Sequence, residues 1–193
     1  NHNLGEKIVV HKGVSGILPK KSFTRYEILT AMLVRSDNSA AETLARDHPY
    51  GRDEFIKSMN NKAQQLGMSN TYFDDPSGLS SKNVSTALDI MLMLKAALSN
   101  PIIKNLSTIQ KTEIINNEKK KPTTIAFQNT NVSVLEEFKN IIFSKTGLTT
   151  PAGWCVALGL EENNKTFALI VLGANTKDHR KKIIEKTIID NIR

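Results

Sequence analysis

The order in which two hydrophobic periodicities appear along the chain is what most constrains its fold. Residues 140–145, 154–160 and 166–172 are dense in strand-forming side chains, and the last two runs are joined by the tight polar turn 161–165. A helical stripe follows at once over 180–192, carried by Ile183, Ile184, Ile188, Ile189 and Ile192. Ahead of this block the apolar residues recur every three to four positions instead, as on one face of a helix.

The first helical set, Ile28, Leu29, Met32 and Leu33, opens on the capping box Thr24-Arg25-Tyr26-Glu27 and is expected to end near Val34. Ala40, Ala41, Leu44 and Ala45 form a second set. Phe55, Ile56, Met59, Ala63 and Leu66 form a third, closed by Gly67, a residue free to take the left-handed cap conformation. The fourth starts at Thr86-Ala87-Leu88-Asp89, presents Ile90, Leu92, Met93, Leu94 and Leu98, and is stopped by Asn100-Pro101. Residues 6–11 read as a short strand, 13–21 as a loop, 70–83 as turn-rich, and 111–115 with 122–127 as a hairpin around a polar run. A helical cluster beside an antiparallel sheet that is closed by a helix is an α+β arrangement. With 193 residues, no internal repeat and no linker, residues 1–193 are expected to form a single domain.

Charge narrows the partners. The net charge of +7 calls for something anionic, and nucleic acid is the usual suspicion. Here the basic residues are spread out, densest at Lys119-Lys120-Lys121 in an expected turn and at Arg180-Lys181-Lys182 at an expected helix start. Aromatics make up only 6% and do not interleave with them, so the prediction is a solvated basic surface and no nucleic-acid groove. An anionic cell wall suits the same charge. The single cysteine, Cys155, excludes a disulfide framework and reads as a buried small hydrophobe in Trp154-Cys155-Val156-Ala157-Leu158. His2, His11, His48 and His179 lack ligand spacing, so no metal and no cofactor is expected.

Two tripeptides carry chemistry: Ser36-Asp37-Asn38 in the turn between two helices, and Lys145-Thr146-Gly147 at the end of a strand. In an extended turn Ser36 and Asn38 project to one side, while Asp37 points away and holds the turn by hydrogen bonds. A hydroxyl can relay a proton and an amide can grip a peptide backbone. On an edge strand, Lys145 offers a fixed positive charge to a terminal carboxylate and Thr146 adds a hydroxyl. Gly147 leaves room for a peptide to pair alongside as an extra strand.

These tripeptides match the second and third motifs of the set S-x-x-K, S-D-N, K-T-G of penicillin-binding proteins and class A β-lactamases. Phe73-Asp74-Asp75-Pro76-Ser77-Gly78-Leu79 with Ser85-Thr86-Ala87 and Asp89, then Asn129-Thr130-Asn131, then residues 145–153, resemble stretches of the low-molecular-mass serine D-alanyl-D-alanine carboxypeptidases. The resemblance implies a β-lactamase/transpeptidase-like fold and a cell-envelope enzyme, periplasmic or otherwise extracytoplasmic. It also implies action on peptidoglycan stem peptides ending in D-Ala-D-Ala and, in the complete enzyme, β-lactam binding. By the same resemblance Ser36 shuttles a proton to the leaving D-alanine and Asn38 holds the substrate amide. Lys145 and Thr146 bind the terminal carboxylate, and the backbone N–H of Leu148 is one oxyanion donor. A class A β-lactamase is disfavoured, because no E-x-x-L-N type segment follows S-D-N.

One element of the set is missing. No serine of the chain is followed three positions later by lysine; Ser22-Phe23-Thr24-Arg25 is the nearest, and arginine cannot serve as a neutral base. The N-terminal part of the domain, with S-x-x-K, is therefore expected upstream of this sequence. The alternative is a nucleophile-less peptidoglycan-binding or scaffold module of the same fold. Nothing in the sequence sets an oligomeric state.

Overall fold

A computed structural model describes residues 3–116 and 122–192. The expected turn at Lys119-Lys120-Lys121, and His2, lie outside the described residues.

The chain opens with a small antiparallel pair, Lys7–Val9 (β1) and Ser22–Thr24 (β2), in the register Ile8 to Phe23. The expected strand 6–11 is cut to three residues, because after Val10, whose N–H still bonds to Lys21 O, the chain turns toward the next helices, His11 N donating to Thr43 Oγ1; β2 itself is too short to show a pattern. Arg25–Thr30 (α1) starts from the expected capping box, with both reciprocal bonds present between Thr24 and Glu27. It continues through a wider π-helical turn, Ala31–Arg35, whose end carries Ser36. Asn38–Arg46 (α2) follows almost directly, and Gly51–Gln65 (α3) ends at Gly67, whose φ of +80° is the left-handed stop.

Ala87–Leu98 (α4) has Thr86 as its cap. Asp89 does not reach back to close a box; its carboxylate accepts instead from Asn70 N and Thr71 Oγ1 and ties the preceding loop to the helix. Asn100-Pro101, expected only as a stop, also starts the next helix, Pro101–Thr108 (α5). The Asn100 side chain caps it and proline occupies its first turn, where a missing N–H costs nothing. Lys111–Asn116 (β3) and Thr123–Gln128 (β4) form the expected hairpin, and the short helix Val132–Glu137 (α6) follows.

The last third is the expected sheet. Ile141–Thr149 (β5), Gly153–Glu162 (β6) and Lys165–Ala174 (β7) pair antiparallel in the order β5-β6-β7. Strand β5 does not stop at Lys145. It runs on through Lys145, Thr146 and Gly147, paired with Ala157, Val156 and Cys155, so the motif sits inside an edge strand. Lys177–Asn191 (α7) begins three residues earlier than the periodicity indicates, because Thr176 caps it by accepting from His179 N.

Two hydrophobic clusters hold these pieces. Helices α6 and α7, with the residue after α6, pack Leu135, Phe138, Ile184 and Ile188 against Val156, Leu158, Leu160 and Leu169 of the sheet. A second cluster joins Val10, Leu18, Phe23, Ile28, Ala31 and Ala40 to Ile114 of the hairpin. Burying each of the larger side chains contributes about 1.5–3 kcal/mol. The C-terminal helix departs from expectation at two positions. Ile189 is 58% exposed, so the helical stripe is narrower than its isoleucines suggest. Arg180 is 3% exposed and occupies the buried stripe one and two turns before Ile184 and Ile188.

Candidate active site

Ser36 stands at the junction of the two helical segments with φ 59° and ψ 43°, a left-handed conformation costly for a non-glycine residue. Neighbours hold it there. The N–H groups of Ser36 and Asp37 both donate to Ala31 O. Asp37, 3% exposed, turns inward as expected. Its Oδ1 accepts from Ala40 N at 2.8 Å and Ser39 Oγ at 2.7 Å, capping α2, while Oδ2 accepts from Ile17 N at 2.6 Å and Leu18 N at 3.2 Å. One carboxylate thus fixes both the S-D-N turn and the loop that runs past it. That loop approaches closely because of Gly16: a Cβ there would lie 2.0 Å from Ser39 Oγ and 2.3 Å from Asp37 Oδ1. The Asn38 amide is partly open to solvent, and its Nδ2 donates to Ser15 Oγ at 2.8 Å.

The second motif meets the first. Lys145 Nζ donates to Ser36 Oγ at 2.5 Å and to Thr146 O at 3.0 Å. Burial pushes the Lys145 ammonium down from its ordinary value to about 8. Among the described residues no carboxylate counters that shift, in contrast to Arg52 on Glu42 or Lys181 on Glu185 and Glu137. A cation partly withdrawn from water without a counter-ion is a place prepared for an anion. Further along the edge, Gly147 is exposed and Leu148 is 53% exposed. A Cβ at Gly147 would meet only Cys155 Cβ at 3.6 Å, an ordinary contact. The internal packing does not demand glycine there; an outside strand lying against the edge would.

Behind this edge lies a residue that sequence reasoning missed. The Arg180 guanidinium donates through Nη1 to Cys155 O at 3.1 Å, reaches Asn131 Oδ1 at 3.5 Å, and stacks 5.6 Å from the centre of the Trp154 ring. Its Nε is buried with no hydrogen-bond partner among the described residues, and burial lowers its pKa. Like Lys145, it is a cation withdrawn from water with no carboxylate partner among the described residues. The signal is present as a basic residue spaced four before Ile184 and eight before Ile188, on what is otherwise an apolar stripe. Cys155 is half-buried and not the fully buried hydrophobe expected, because its strand position faces Gly147, which offers no side chain to cover it.

Asn129-Thr130-Asn131 clips the two halves of the site together. Both asparagines are buried, at 3% and 2% exposure. Asn129 Nδ2 donates to Ser107 O and Ile109 O, its Oδ1 accepts from Asn131 N, and Asn131 Nδ2 donates to Ser144 Oγ on β5. Between them, Thr130 N donates to Val34 O, two residues before Ser36, and Thr130 Oγ1 lies 2.6 Å from Thr146 Oγ1. The sequence-predicted residues Ser36, Lys145 and Thr146 are thereby brought together, with Asn38 on the same turn and Gly147 and Leu148 along the open edge.

Known proteins resemble this chain in sequence and in fold. The chain is 42% identical over 165 residues to a D-alanyl-D-alanine endopeptidase of Escherichia coli, covering 84% of this chain and 52% of that protein. It is 29% identical over 171 residues to a D-alanyl-D-alanine carboxypeptidase of Bacillus subtilis, covering 88% of this chain and 43% of that one. The chain thus spans about half the length of the curated relatives it matches. Among solved structures, a Streptomyces DD-transpeptidase superposes with a TM-score of 0.91 at 24% identity, over 98% of this chain and 79% of that one, which speaks for the fold. A penicillin-binding protein of Listeria monocytogenes in its cefotaxime-bound form superposes with a TM-score of 0.84 at 28% identity, over 99% of this chain and 78% of that one. Residues 5–176 match the D-alanyl-D-alanine carboxypeptidase family as a whole, and with S-D-N and K-T-G joined at one edge of the expected α+β fold, the chain belongs to that family.

Proposed function

We propose that residues 1–193 supply the substrate-holding part of a serine D-alanyl-D-alanine carboxypeptidase that cleaves peptidoglycan stem peptides through an acyl-enzyme. The nucleophilic serine and its lysine then belong to an S-x-x-K segment outside these residues. The observation that carries the reading is the Lys145 ammonium, 2.5 Å from the Ser36 hydroxyl and without a carboxylate partner among the described residues.

Each residue has its part in this reading. A stem peptide lies along the open side of β5 as an added strand, and Gly147 leaves it room. Lys145 and Thr146 receive its terminal carboxylate, with Arg180 reinforcing the positive field from behind. Asn38 bonds the substrate amide and the Leu148 N–H faces the developing oxyanion. Ser36, receiving a hydrogen bond from Lys145, is free to direct its own proton to the leaving D-alanine. β-Lactams, which present a carboxylate beside a reactive carbonyl, fit the same cradle, and the work is done outside the cytoplasm where peptidoglycan lies.

The second reading is a binding module of the same fold without a nucleophile. One experiment separates the two. The natural protein, isolated from its source, is incubated with an N-acyl-D-Ala-D-Ala peptide while D-alanine is measured. Release of D-alanine, blocked by a β-lactam, supports the peptidase; binding of the peptide with no release overturns it in favour of the module.

A further inference from the structure

Resting on the reading of Lys145 and Thr146 as a carboxylate cradle, we propose that Thr130 is a positioning residue that orients the Thr146 hydroxyl. Through it, Thr130 sets the preference for a free terminal carboxylate over a neutral terminal amide. In Asn129-Thr130-Asn131 the two asparagines do the anchoring, and the Thr130 hydroxyl is the group turned toward Thr146.

The chemistry follows from counting protons. Two hydroxyls 2.6 Å apart share one hydrogen bond, so one oxygen donates and the other accepts. A carboxylate is acceptor-only. It engages Thr146 only if the Thr146 proton points at it, and that proton is free only when the Thr146 oxygen is the acceptor in its bond with Thr130. The bound state therefore has one direction, Thr130 O–H to Thr146 O–H to carboxylate. Each bond in such a chain polarises the next, strengthening it by roughly 10–30%. A terminal carboxamide carries donors as well as an acceptor, and it pairs with Thr146 whichever way the hydroxyl points. Removing the Thr130 hydroxyl frees the Thr146 rotor and withdraws the polarisation, which weakens the acceptor-only ligand and spares the amide.

The geometry keeps Thr130 where this requires. Its N–H is fixed on Val34 O at the end of the segment carrying Ser36. Its neighbours are buried and committed to Ser107, Ile109, Ser144 and Arg180. The hydroxyl is therefore referenced to both walls of the site at once, the Ser36 turn on one side and strand β5 on the other.

The test is a ligand-observed NMR titration of the protein with N-acetyl-D-Ala-D-Ala and with its C-terminal amide. The unmodified protein should prefer the carboxylate. Thr130→Val, which keeps the shape and puts a methyl in place of the hydroxyl, should weaken carboxylate binding about 3- to 10-fold, the worth of one neutral hydrogen bond, and leave the amide unchanged. Thr130→Ser should restore the preference. Equal weakening of both ligands by Thr130→Val, or failure of Thr130→Ser to restore, makes Thr130 a packing residue and overturns the proposal. Should Thr130→Val not fold, Thr130→Ala read the same way decides it. No carboxylate preference in the unmodified protein sinks the cradle itself; a preference that Thr130→Val leaves intact sinks only the role of Thr130.

Discussion

The ammonium of Lys145 and the hydroxyl of Ser36 lie 2.5 Å apart although 109 residues separate them in the chain. Among the described residues no carboxylate partners that ammonium to explain its position. If the pair exists to hold an anionic substrate end, as proposed, replacing Lys145 by alanine in the natural protein should cost about 1.5–3 kcal/mol, a roughly 10- to 150-fold loss in kcat/KM. A C-amidated substrate should start poor and lose little more. Lys181, ion-paired with Glu137 and Glu185 on the surface of α7, is the charge control. Equal behaviour of Lys145→Ala and Lys181→Ala on the free-carboxylate peptide would end the anchor assignment.

The same lysine predicts a pH dependence. Its charge is present below its folded value of about 8 and lost above it. Carboxylate binding should therefore fall about tenfold between pH 7 and pH 9, as the charged fraction falls. The effect on folding has the opposite sign. Between about 8 and the ordinary value of 10.5 the unfolded chain binds the proton that the folded chain has released, so this site makes stability rise with pH in that window. Titrating the affinity of N-acetyl-D-Ala-D-Ala against pH checks the first part, and Lys145→Met, flat across the range, is the comparison.

Incubated with a penicillin, the 193-residue chain should gain no covalent mass. Ser36 touches Lys145, yet its own N–H is spent on Ala31 O and cannot stabilise the oxyanion that would form on the carbonyl oxygen of a β-lactam attacked by its hydroxyl. Intact-mass spectrometry decides, and a stoichiometric adduct mapped to Ser36 would make this serine the nucleophile.

Asp75 organises the loop ahead of α4. Its carboxylate accepts from the N–H groups of Ser77, Gly78, Leu79 and Ser80, from Ser77 Oγ and from Asn83 Nδ2. Burial opposes its ionisation, but the bonds from Ser77, Ser80 and Asn83 outweigh it and hold the group below the usual carboxylate range. A depressed carboxylate gives stability that is complete above its unfolded value, about 3.9, and is lost as pH falls below it. Asp75→Ala should destabilise the fold by about 2–4 kcal/mol, seen as a melting temperature lower by about 5–15 °C. A shift under about a degree at neutral pH, far below what 1 kcal/mol produces, would mean that the loop holds itself.

Gly16→Ala should act on the site from outside it. The added methyl would collide with Ser39 Oγ and Asp37 Oδ1, so either the loop lifts or the S-D-N turn shifts. A cost of about 1–3 kcal/mol is expected, with weakened substrate binding alongside it. Unchanged melting and unchanged affinity would show that the close approach of loop and turn is dispensable.

Much of this is legible in the sequence, for reasons that differ by element. Helices α1 to α4, the hairpin and the three late strands each repeat their period often enough to be read. Ser36 and Lys145 read as one site because their tripeptides match two motifs of a single set, although Lys145 lies within β5 and not at its end. Strand β2 and helix α6 are too short to repeat a pattern, and α5 is hidden because Asn100-Pro101 ends one helix and begins another with the same two residues. The extension of β5 through Gly147 comes from pairing with β6, which supplies partners that no local propensity announces. Arg180 escapes notice because a basic residue beside two lysines reads as surface until the packing of α7 turns it inward.

The two hydrophobic clusters share no residue, and Ser36 and Lys145 come from opposite sides of the seam between them. Antiparallel β5, β6 and β7 are joined by short turns and gain their contacts locally, whereas the seam must wait for a long loop to close. On this topology the site is expected to assemble late in folding and to be lost first by a parting of the clusters with each still intact. A ligand spanning both motifs then acts as a bolt across that seam: hydrogen exchange should slow first at Thr130, whose amide is bonded to Val34 O only while the halves meet.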